Sequence, residues 1–513
     1  MNDFLLFILA LAPILCLIVA LTGLKMPGHL ACFGALIITA ILAGSVWKMT
    51  PANIGLASLE GACNALWPII IVILAALFTY NLTLETKAMD SIKAMLASVS
   101  TDKRILMLLI AFGFGNFMEG MAGFGTAVAI PAGILVGLGF EPLLAVVTCL
   151  IINSTPTAFG SVGVPVNTMH AITGLDTVGI STNVAIIQAV VQFLIPFIAV
   201  VVIGKGFKAL KGLVGFTLIA DLAYLLPECL VAKFIGPDLA DIIGAIICMI
   251  VIVIYAMKAK TPDNPEFKVS TSGDATKGLT FGKAFKAWSP FIFVFVFLLL
   301  TSKLVPFINK PLLKFASSVK FYPTGKPLTF CWVNTPGVLI LLAGFLGGAI
   351  QGASFKTMLC ILGKTVKSNV KTIITICSVL AVAKIMGYSG MTTSISKELV
   401  SVTGQYFPFI SPLIGTIGGF VTGSGTSTTA LFGDVQVQTA KAIGANPSWL
   451  AAGNLMGAGL GKMICPQSIA IGSAAVGLSG VESKIMAKVV VWTISFVVIA
   501  GIICYGFSVI GLV

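Results

Sequence analysis

Charge is scarce in this chain. Of its 513 residues only 10% are Asp, Glu, Lys or Arg, against roughly a quarter in a soluble globular domain. Arginine occurs once, at Arg104, and histidine twice, at His29 and His170, which excludes a histidine-rich metal site. The eleven cysteines stand singly, mostly inside apolar runs (Cys16, Cys32, Cys149, Cys248, Cys377, Cys504), with no metal-ligand or redox spacing. They read as small buried apolar residues rather than a disulfide or zinc framework. A nucleotide site is missing too. Gly363-Lys364-Thr365 ends like a phosphate-binding loop, but Met358 stands where its first glycine belongs, so an ATP-driven pump is excluded. Without a nucleophile–base pair or a metal cluster, an intramembrane enzyme is disfavoured, and no resident cofactor is implied. The alternating short strands of a membrane β-barrel are absent as well.

What is present is hydrocarbon. The chain is 58% hydrophobic, with a mean hydropathy of +1.07. Residues 4–24, 32–46, 66–84, 184–203, 239–257, 291–300 and 489–513 are almost free of charge, and several approach the ~20 apolar residues that carry a helix across a bilayer. Backbone groups in lipid must pair within the chain, so the spans are helices. The expectation is an all-α polytopic membrane protein with about a dozen spans and two shorter hairpin-like pieces. The segment Phe4 to Leu24 reads as a first span, since Met1-Asn2-Asp3 lacks a basic leader. One polar interval, 258–286, separates a first half (1–257) from a second (287–513), and a semi-polar stretch runs over 308–326.

The net charge of +13 comes from lysines in loops, among them Lys205, Lys208, Lys211 and those between Lys356 and Lys371. Basic loops orient membrane proteins and meet anionic lipid, so the expected partner is the membrane and not nucleic acid. Lys25, Lys87, Lys93, Lys103 and Arg104 suit a cytoplasmic face if the N-terminus is outside.

Two segments look like one motif used twice, one in each half. The first is Asn116-Phe117-Met118-Glu119-Gly120-Met121-Ala122-Gly123-Phe124-Gly125-Thr126; the second is Gly418-Gly419-Phe420-Val421-Thr422-Gly423-Ser424-Gly425-Thr426-Ser427-Thr428-Thr429. Each leads to a Gly-x-x-Pro turn, at Gly139–Pro142 and Gly444–Pro447, and then to an apolar helix broken by proline among polar residues. The breaks are Asn153-Ser154-Thr155-Pro156-Thr157 and Cys465-Pro466-Gln467-Ser468. Paired interruptions in the two halves point to a transporter's binding site. Small residues also serve helix packing, but packing alone does not call for polar breaks at matching places. The glycines Gly123, Gly125, Gly423 and Gly425 let the chain turn and present helix N-termini to an anion. Thr126, Ser424, Thr426, Ser427 and Thr428 add hydroxyls, and Ser154, Thr155, Gln467 and Ser468 complete backbone groups freed by the prolines.

Charges at membrane depth narrow the reading. Glu119 lies in an apolar, glycine-rich segment, where an ionised carboxylate is costly, so it is the candidate to carry a coupling proton. Lys462, three residues before the second break, is placed to attract an anionic substrate or to pair with Glu119. Lys384 is equally out of place and is either a counter-charge for Glu119 or a side chain that snorkels to the interface. Asp434 and His170 read as lining or solvated residues. The residues thus describe a secondary transporter for a small carboxylate; a sodium-coupled carrier and an anion channel stay open as alternatives, because hydroxyls and unwound carbonyls also suit Na⁺.

Further motifs give this chain a familial resemblance. Phe117 to Gly125, Cys149-Leu150-Ile151-Ile152-Asn153 with Ala158-Phe159-Gly160, and above all Gly461-Lys462-Met463-Ile464-Cys465-Pro466-Gln467-Ser468-Ile469-Ala470-Ile471 resemble the L-lactate permease family. Leu66-Trp67-Pro68-Ile69, Ile235-Gly236-Pro237-Asp238 and Ala287-Trp288-Ser289-Pro290-Phe291 extend the match over nearly the whole chain. The resemblance implies proton-coupled import of a small 2-hydroxy monocarboxylate, such as lactate or glycolate, across the bacterial cytoplasmic membrane. It also implies two inverted repeats with re-entrant hairpins, working as an elevator; whether the protein is a monomer or a homodimer stays open. Three departures stand out: Gly425 where the family usually has aspartate, Lys384 where an uncharged residue is expected, and Cys465 in place of serine.

Overall fold

An apolar chain in lipid satisfies its backbone from within, and here almost every polar backbone group does so in helices. The computed structural model describes residues 3–24, 26–123, 125–258, 265–268, 280–302, 304–323, 325, 327–478 and 480–511. Phe124 of the first glycine motif, Lys25, and most of the 258–286 interval expected as a linker lie outside the described residues. Among those described, ten helices are long and apolar enough to span a membrane, or eleven if the bent pair Pro142–Ile152 and Pro156–Thr173 counts as one. The number falls short of a dozen because the segments that build the interior are short, polar or broken. Thr126–Gly137 and Phe407–Thr422 are examples.

The two glycine motifs are the tips of two helical hairpins. In the first, Lys103–Met121 turns back at Ala122–Gly125 into Thr126–Gly137; in the second, Phe407–Thr422 turns at Gly423–Ser424 into Gly425–Ile443. Gly123, Gly125 and Gly423 all have positive φ (60°, 85° and 65°), a conformation that glycine adopts without the Cβ penalty. Each hairpin is followed by a broken helix. The first consists of Pro142–Ile152, a 3₁₀ turn at Pro156–Phe159 and a helix closing at Thr173; the second is Pro447–Ile464 and then Pro466–Ala475. Both Gly-x-x-Pro turns take the expected form: Gly139 and Gly444 have positive φ, and Pro142 and Pro447 open the next helix, where the missing N–H costs nothing.

Small residues let these elements approach backbone to backbone. On Phe407–Thr422, a Cβ at Gly415 or Gly419 would run into the carbonyls of Asn454 and Ala458; a Cβ at Gly457 or Gly461 would strike the carbonyls of Pro412 and Thr416. Gly459 lies on the carbonyl of Ser154, so the second broken helix meets the first at its break. The first hairpin is braced by rings. Phe114 and Phe117 pack edge to face or tilted on Trp288, and Phe117 also meets Phe291.

Among the described residues there is one β-hairpin: Ala316–Val319 (β1), in the semi-polar stretch, pairs antiparallel with Leu328–Cys331 (β2) just beyond it, Ala316 opposite Cys331. The hairpin is held by Trp67, whose Nε1 donates to the Cys331 carbonyl at 3.1 Å while its ring lies 5.1 Å from that of Trp332. Its polar Ser317, Ser318 and Thr329 side chains explain why the segment reads as neither span nor loop.

The packing makes a testable distinction between glycines. Gly457→Ala is expected to destabilise the protein by about 1–3 kcal/mol through overpacking, whereas Gly34→Ala, which has open space around it, is expected to be silent or slightly stabilising. Thermal unfolding of the purified protein in detergent, followed by loss of its monodisperse peak, measures both.

Candidate functional site

The two hairpin tips and the two helix breaks meet around one cavity of about 750 Å³. At its wall, segments from opposite ends of the chain exchange a charge pair: Lys462 Nζ lies 2.7 Å from Glu119 Oε1. The carboxylate is held on its other side by Asn153, whose Nδ2 donates to Oε2 at 2.9 Å, and Lys462 also reaches Thr157 Oγ1 at 3.4 Å. Glu119 and Lys462 are 2% and 6% exposed, so the pair is almost fully desolvated yet faces the cavity. In a low-dielectric site such a pair persists only with good geometry and added hydrogen bonds, and Asn153 and Thr157 supply these.

Local breaks make this possible. Leu108–Phe114 forms a wide π-helical turn just before Glu119, a feature that recurs at functional sites. At the far side of the first break, Ser161, Val162 and Gly163 all take left-handed φ (48°, 58° and 71°). For Val162, a β-branched residue, this is a strained conformation. It turns Ser161 so that its Oγ donates to the Ala122 carbonyl at 2.8 Å, tying the first break to the first hairpin tip. The second tip rests on the second break in the same manner: a Cβ at Gly423 would meet Cys465 Sγ at 2.9 Å and Gln467 Oε1 at 3.1 Å.

Of the residues singled out in the sequence, Glu119, Gly125, Ser424, Gly425, Thr426, Ser427, Lys462, Gln467 and Ser468 line the cavity. Two helices begin there, Gly425–Ile443 and Pro466–Ala475, and their first-turn amides and positive dipole ends suit an anion. Ser424 caps the first of them, accepting from the Ser427 amide at 3.2 Å.

Five expected residues stand behind the wall instead of on it. Thr126 Oγ1 donates to the Gly123 carbonyl at 2.6 Å, Ser154 Oγ to that of Ile151 at 2.7 Å, and Thr428 Oγ1 to that of Ser424 at 2.8 Å. Thr155 Oγ1 donates to Gln192 Oε1, and Gly123 is covered by Ser161. Their polar groups are consumed in holding the turns. Lys384 requires a correction of partner. It is a counter-charge, but for Glu60, 3.0 Å away, and not for Glu119; it also donates to the Ala171 carbonyl at 3.0 Å. Glu60 accepts from Tyr388 as well, whose ring stacks on Tyr322 at 3.9 Å. Asp434 accepts from Thr392 at 2.6 Å, and His170 is exposed.

Sequence reasoning passed over several lining residues. Gly160 and Thr422 lie inside the quoted motifs but carry no charge to mark them, Ser161 and Pro165 follow the first break, and His29, Lys371 and Thr375 come from helices with no motif at all. Thr157 and Asn153 were visible as members of the first break, but nothing in their spacing marked them as partners of Lys462 and Glu119. Of the cysteines, expected as small buried apolar residues, Cys32, Cys149, Cys248, Cys465 and Cys504 are buried, whereas Cys16 and Cys360 are exposed.

Removing one member of a buried ion pair leaves the other charge uncompensated, at a cost of about 3–5 kcal/mol. Lys462→Met alone is therefore expected to lower stability by that order, and adding Glu119→Gln is expected to recover most of it. A double-mutant cycle on thermal stability measures the coupling; strict additivity would show that the two side chains do not interact.

Comparison with known proteins places the chain. The family model described as L-lactate permease matches residues 6–510. An L-lactate permease of Streptococcus iniae is 45% identical over 87% of this chain and 93% of its own length. The glycolate permease GlcA of Escherichia coli is 34% identical over 97% of this chain and 94% of its own. Among solved structures, the YdaH transporter of Alcanivorax borkumensis aligns with a TM-score of 0.48 at 13% identity, over 90% of this chain and 86% of that one. A family match over nearly every residue, together with relatives of this identity and coverage, means that the chain belongs to the L-lactate permease family, whose members are permeases and not enzymes.

Proposed function

We propose that this protein imports a small 2-hydroxy monocarboxylate, L-lactate or glycolate, together with a proton across the bacterial cytoplasmic membrane. The observation that carries the reading is the Glu119–Lys462 pair on the cavity wall. A substrate carboxylate entering the cavity competes with Glu119 for the buried Lys462 ammonium; the other lining lysine, Lys371, is exposed. If it wins, Glu119 is left as a buried carboxylate without its cation, which is expensive, and a proton then neutralises it. If no proton arrives, Glu119 holds Lys462 and the substrate is not retained. Proton and anion thus enter together, and the loaded site has the same net charge as the empty one. The hydroxyls of Ser424, Thr426, Ser427 and Ser468 and the helix-start amides are suited to a 2-hydroxy acid, whose carboxylate and hydroxyl are acceptors side by side. The names of the relatives, lactate and glycolate permeases, support the same substrate class.

The hairpin and broken helix of each half are proposed as a matched pair of inverted repeats that move as one body past a scaffold, carrying the cavity across in elevator fashion. Helices Gly28–Ser45 and Val370–Ser389, which contribute His29, Lys371 and Thr375 to the cavity, belong on this reading to the scaffold.

Uptake of labelled L-lactate and glycolate into proteoliposomes, under imposed pH or Na⁺ gradients, tests the reading. A pH gradient in sodium-free medium is expected to drive accumulation. Glu119→Gln is expected to abolish that accumulation while retaining exchange of internal for external substrate. Lys462→Met removes a charge-assisted hydrogen bond of roughly 1.5–3 kcal/mol, so apparent affinity is expected to fall by about tenfold or more. Accumulation driven by Na⁺ alone would instead establish a sodium-coupled carrier, and flux without exchange a channel.

A further inference from the structure

Three carboxyls on the helix pair Val214–Phe234 and Pro237–Lys258 take no part in the cycle above. Asp221, Glu228 and Asp241 are each fully buried, at 0% exposure. Among the described residues no ion pair reaches any of them, unlike Glu119 and Glu60. Both oxygens of Asp221, Oε2 of Glu228 and Oδ2 of Asp241 also have no hydrogen-bond partner. Nor is this a metal site, since no group of side chains among the described residues could hold a metal ion. Buried acids this close together, without cations, cannot all be ionised at once, so the cluster holds fewer charges than it has carboxyls and keeps protons on the rest.

The hydrogen bonds count at least one of those protons. Tyr224 Oη lies 2.7 Å from Asp241 Oδ1 and 3.1 Å from Glu228 Oε1. A phenol has one proton and can donate to only one of the two carboxyls. The other contact is a hydrogen bond only if that carboxyl brings a proton of its own. Gln188 Nε2 also donates to Glu228 Oε1 at 2.9 Å, so this oxygen already has one donor besides its contact with the phenol.

The cluster adjoins the coupling site. A Cβ on Gly120, the residue after Glu119, would come within 2.9 Å of Asp241 Oδ2. The groups facing Asp241 are Tyr224 and Glu228 from the neighbouring helix and Glu119 from the first hairpin, with Lys462 beyond it; Asp221 lies further along the same neighbouring helix, and Lys233 at its end is exposed. The other elements packed against it, residues 108–114, 156–159 and 177–203, carry no charge. His170 at the end of the first broken helix and Lys283 and Lys286 of the helix Phe281–Leu300 are exposed. Among the described residues, the one cation that acts on Asp241 is therefore Lys462, the one that the substrate recruits. When Lys462 turns to a substrate carboxylate, Asp241 and Glu119 both lose the potential that favours their anionic forms.

We propose that Asp241, linked through Tyr224 to Glu228, is a second proton-binding site of the transport cycle. The inference rests on the proton-coupled reading above. On loading, one proton bonds to Glu119 and a second, passed through the cavity-facing Glu119, to an Asp241 oxygen; on release both O–H bonds break and both protons leave with the substrate. Two protons then accompany one carboxylate, and one net positive charge crosses per cycle.

The test is the response to membrane potential. In sodium-free proteoliposomes with equal pH on both sides, an inside-negative potential is expected to accumulate substrate in the wild type, with a tenfold ratio for each ~59 mV when one charge moves. Asp241→Asn is expected to lose this potential-driven accumulation, leaving accumulation under a pH gradient, and Asp241→Glu to restore it. Wild-type uptake indifferent to potential, but driven by a pH gradient, would overturn the second site and leave the first intact; this readout needs no variant. Potential-driven accumulation that survives Asp241→Asn would also overturn it. If a pH gradient drives nothing in the wild type, the proton-coupled reading itself is what fails.

Discussion

The arrangement depends on one interaction, the ion pair between Glu119 and Lys462, whose members lie 343 residues apart in the chain. Two charges taken out of water at membrane depth repel every neighbour that cannot serve them, so the surrounding structure is organised around serving them. Asn153 and Thr157 come from the first helix break, Lys462 from the turn before the second, and Glu119 from the helix that leads to the first hairpin tip. Each break exposes polar groups that an unbroken helix would have spent on itself. Membrane interiors tolerate such backbone only where it is buried in protein or lines a cavity, and this cavity is where all four irregular segments converge.

Close packing fixes those segments. Gly415, Gly419, Gly457 and Gly461 bring the second hairpin and the second broken helix to backbone contact, and Gly459 sets that helix against the Ser154 carbonyl of the first break. Lys462 sits one residue beyond the last of these glycines, so its position is set by packing rather than by its own bonds. On the other side, the rings of Phe114, Phe117, Trp288 and Phe291 fix the helix that carries Glu119. The left-handed run Ser161–Gly163 is the strained element, and it occurs where the first break must turn toward the hairpin tip.

The buried acids divide by partner. Glu119 and Glu60 each have a lysine, and each pair joins elements distant in sequence. Glu228 and Asp241 share Tyr224, and Glu228 also accepts from Gln188, while both oxygens of Asp221 are without a hydrogen-bond partner. The first kind joins elements by charge; the second is the cluster proposed above to take up a proton. Gly425 fits closely against the first break: a Cβ there would lie 3.1 Å from Thr157 Cγ2 and 3.4 Å from Pro165 Cγ. The buried acids without a cation lie behind the first hairpin.

Hydropathy and punctuation made much of this legible in the sequence. Long charge-free runs dictate membrane helices, because nothing else satisfies a backbone in lipid. The repeated glycine tips, Gly-x-x-Pro turns and proline breaks mark the irregular segments, because only glycine and proline impose local geometry regardless of context. Glu119 and Lys462 announced themselves by cost alone. Tertiary structure decided what those signals could not: which charge meets which. Lys384 and Lys462 are equally anomalous in sequence, yet one pairs with Glu60 and the other with Glu119. Thr126, Ser154, Thr155 and Thr428 carry the same hydroxyls as Thr426 and Ser427, but their turns consume them. Asp221, Glu228 and Asp241 are spread along two helices and form a cluster only when those helices pack side by side. Periodicity and composition act within one element, whereas a pairing of charges depends on the distance between elements, which only the packed chain defines.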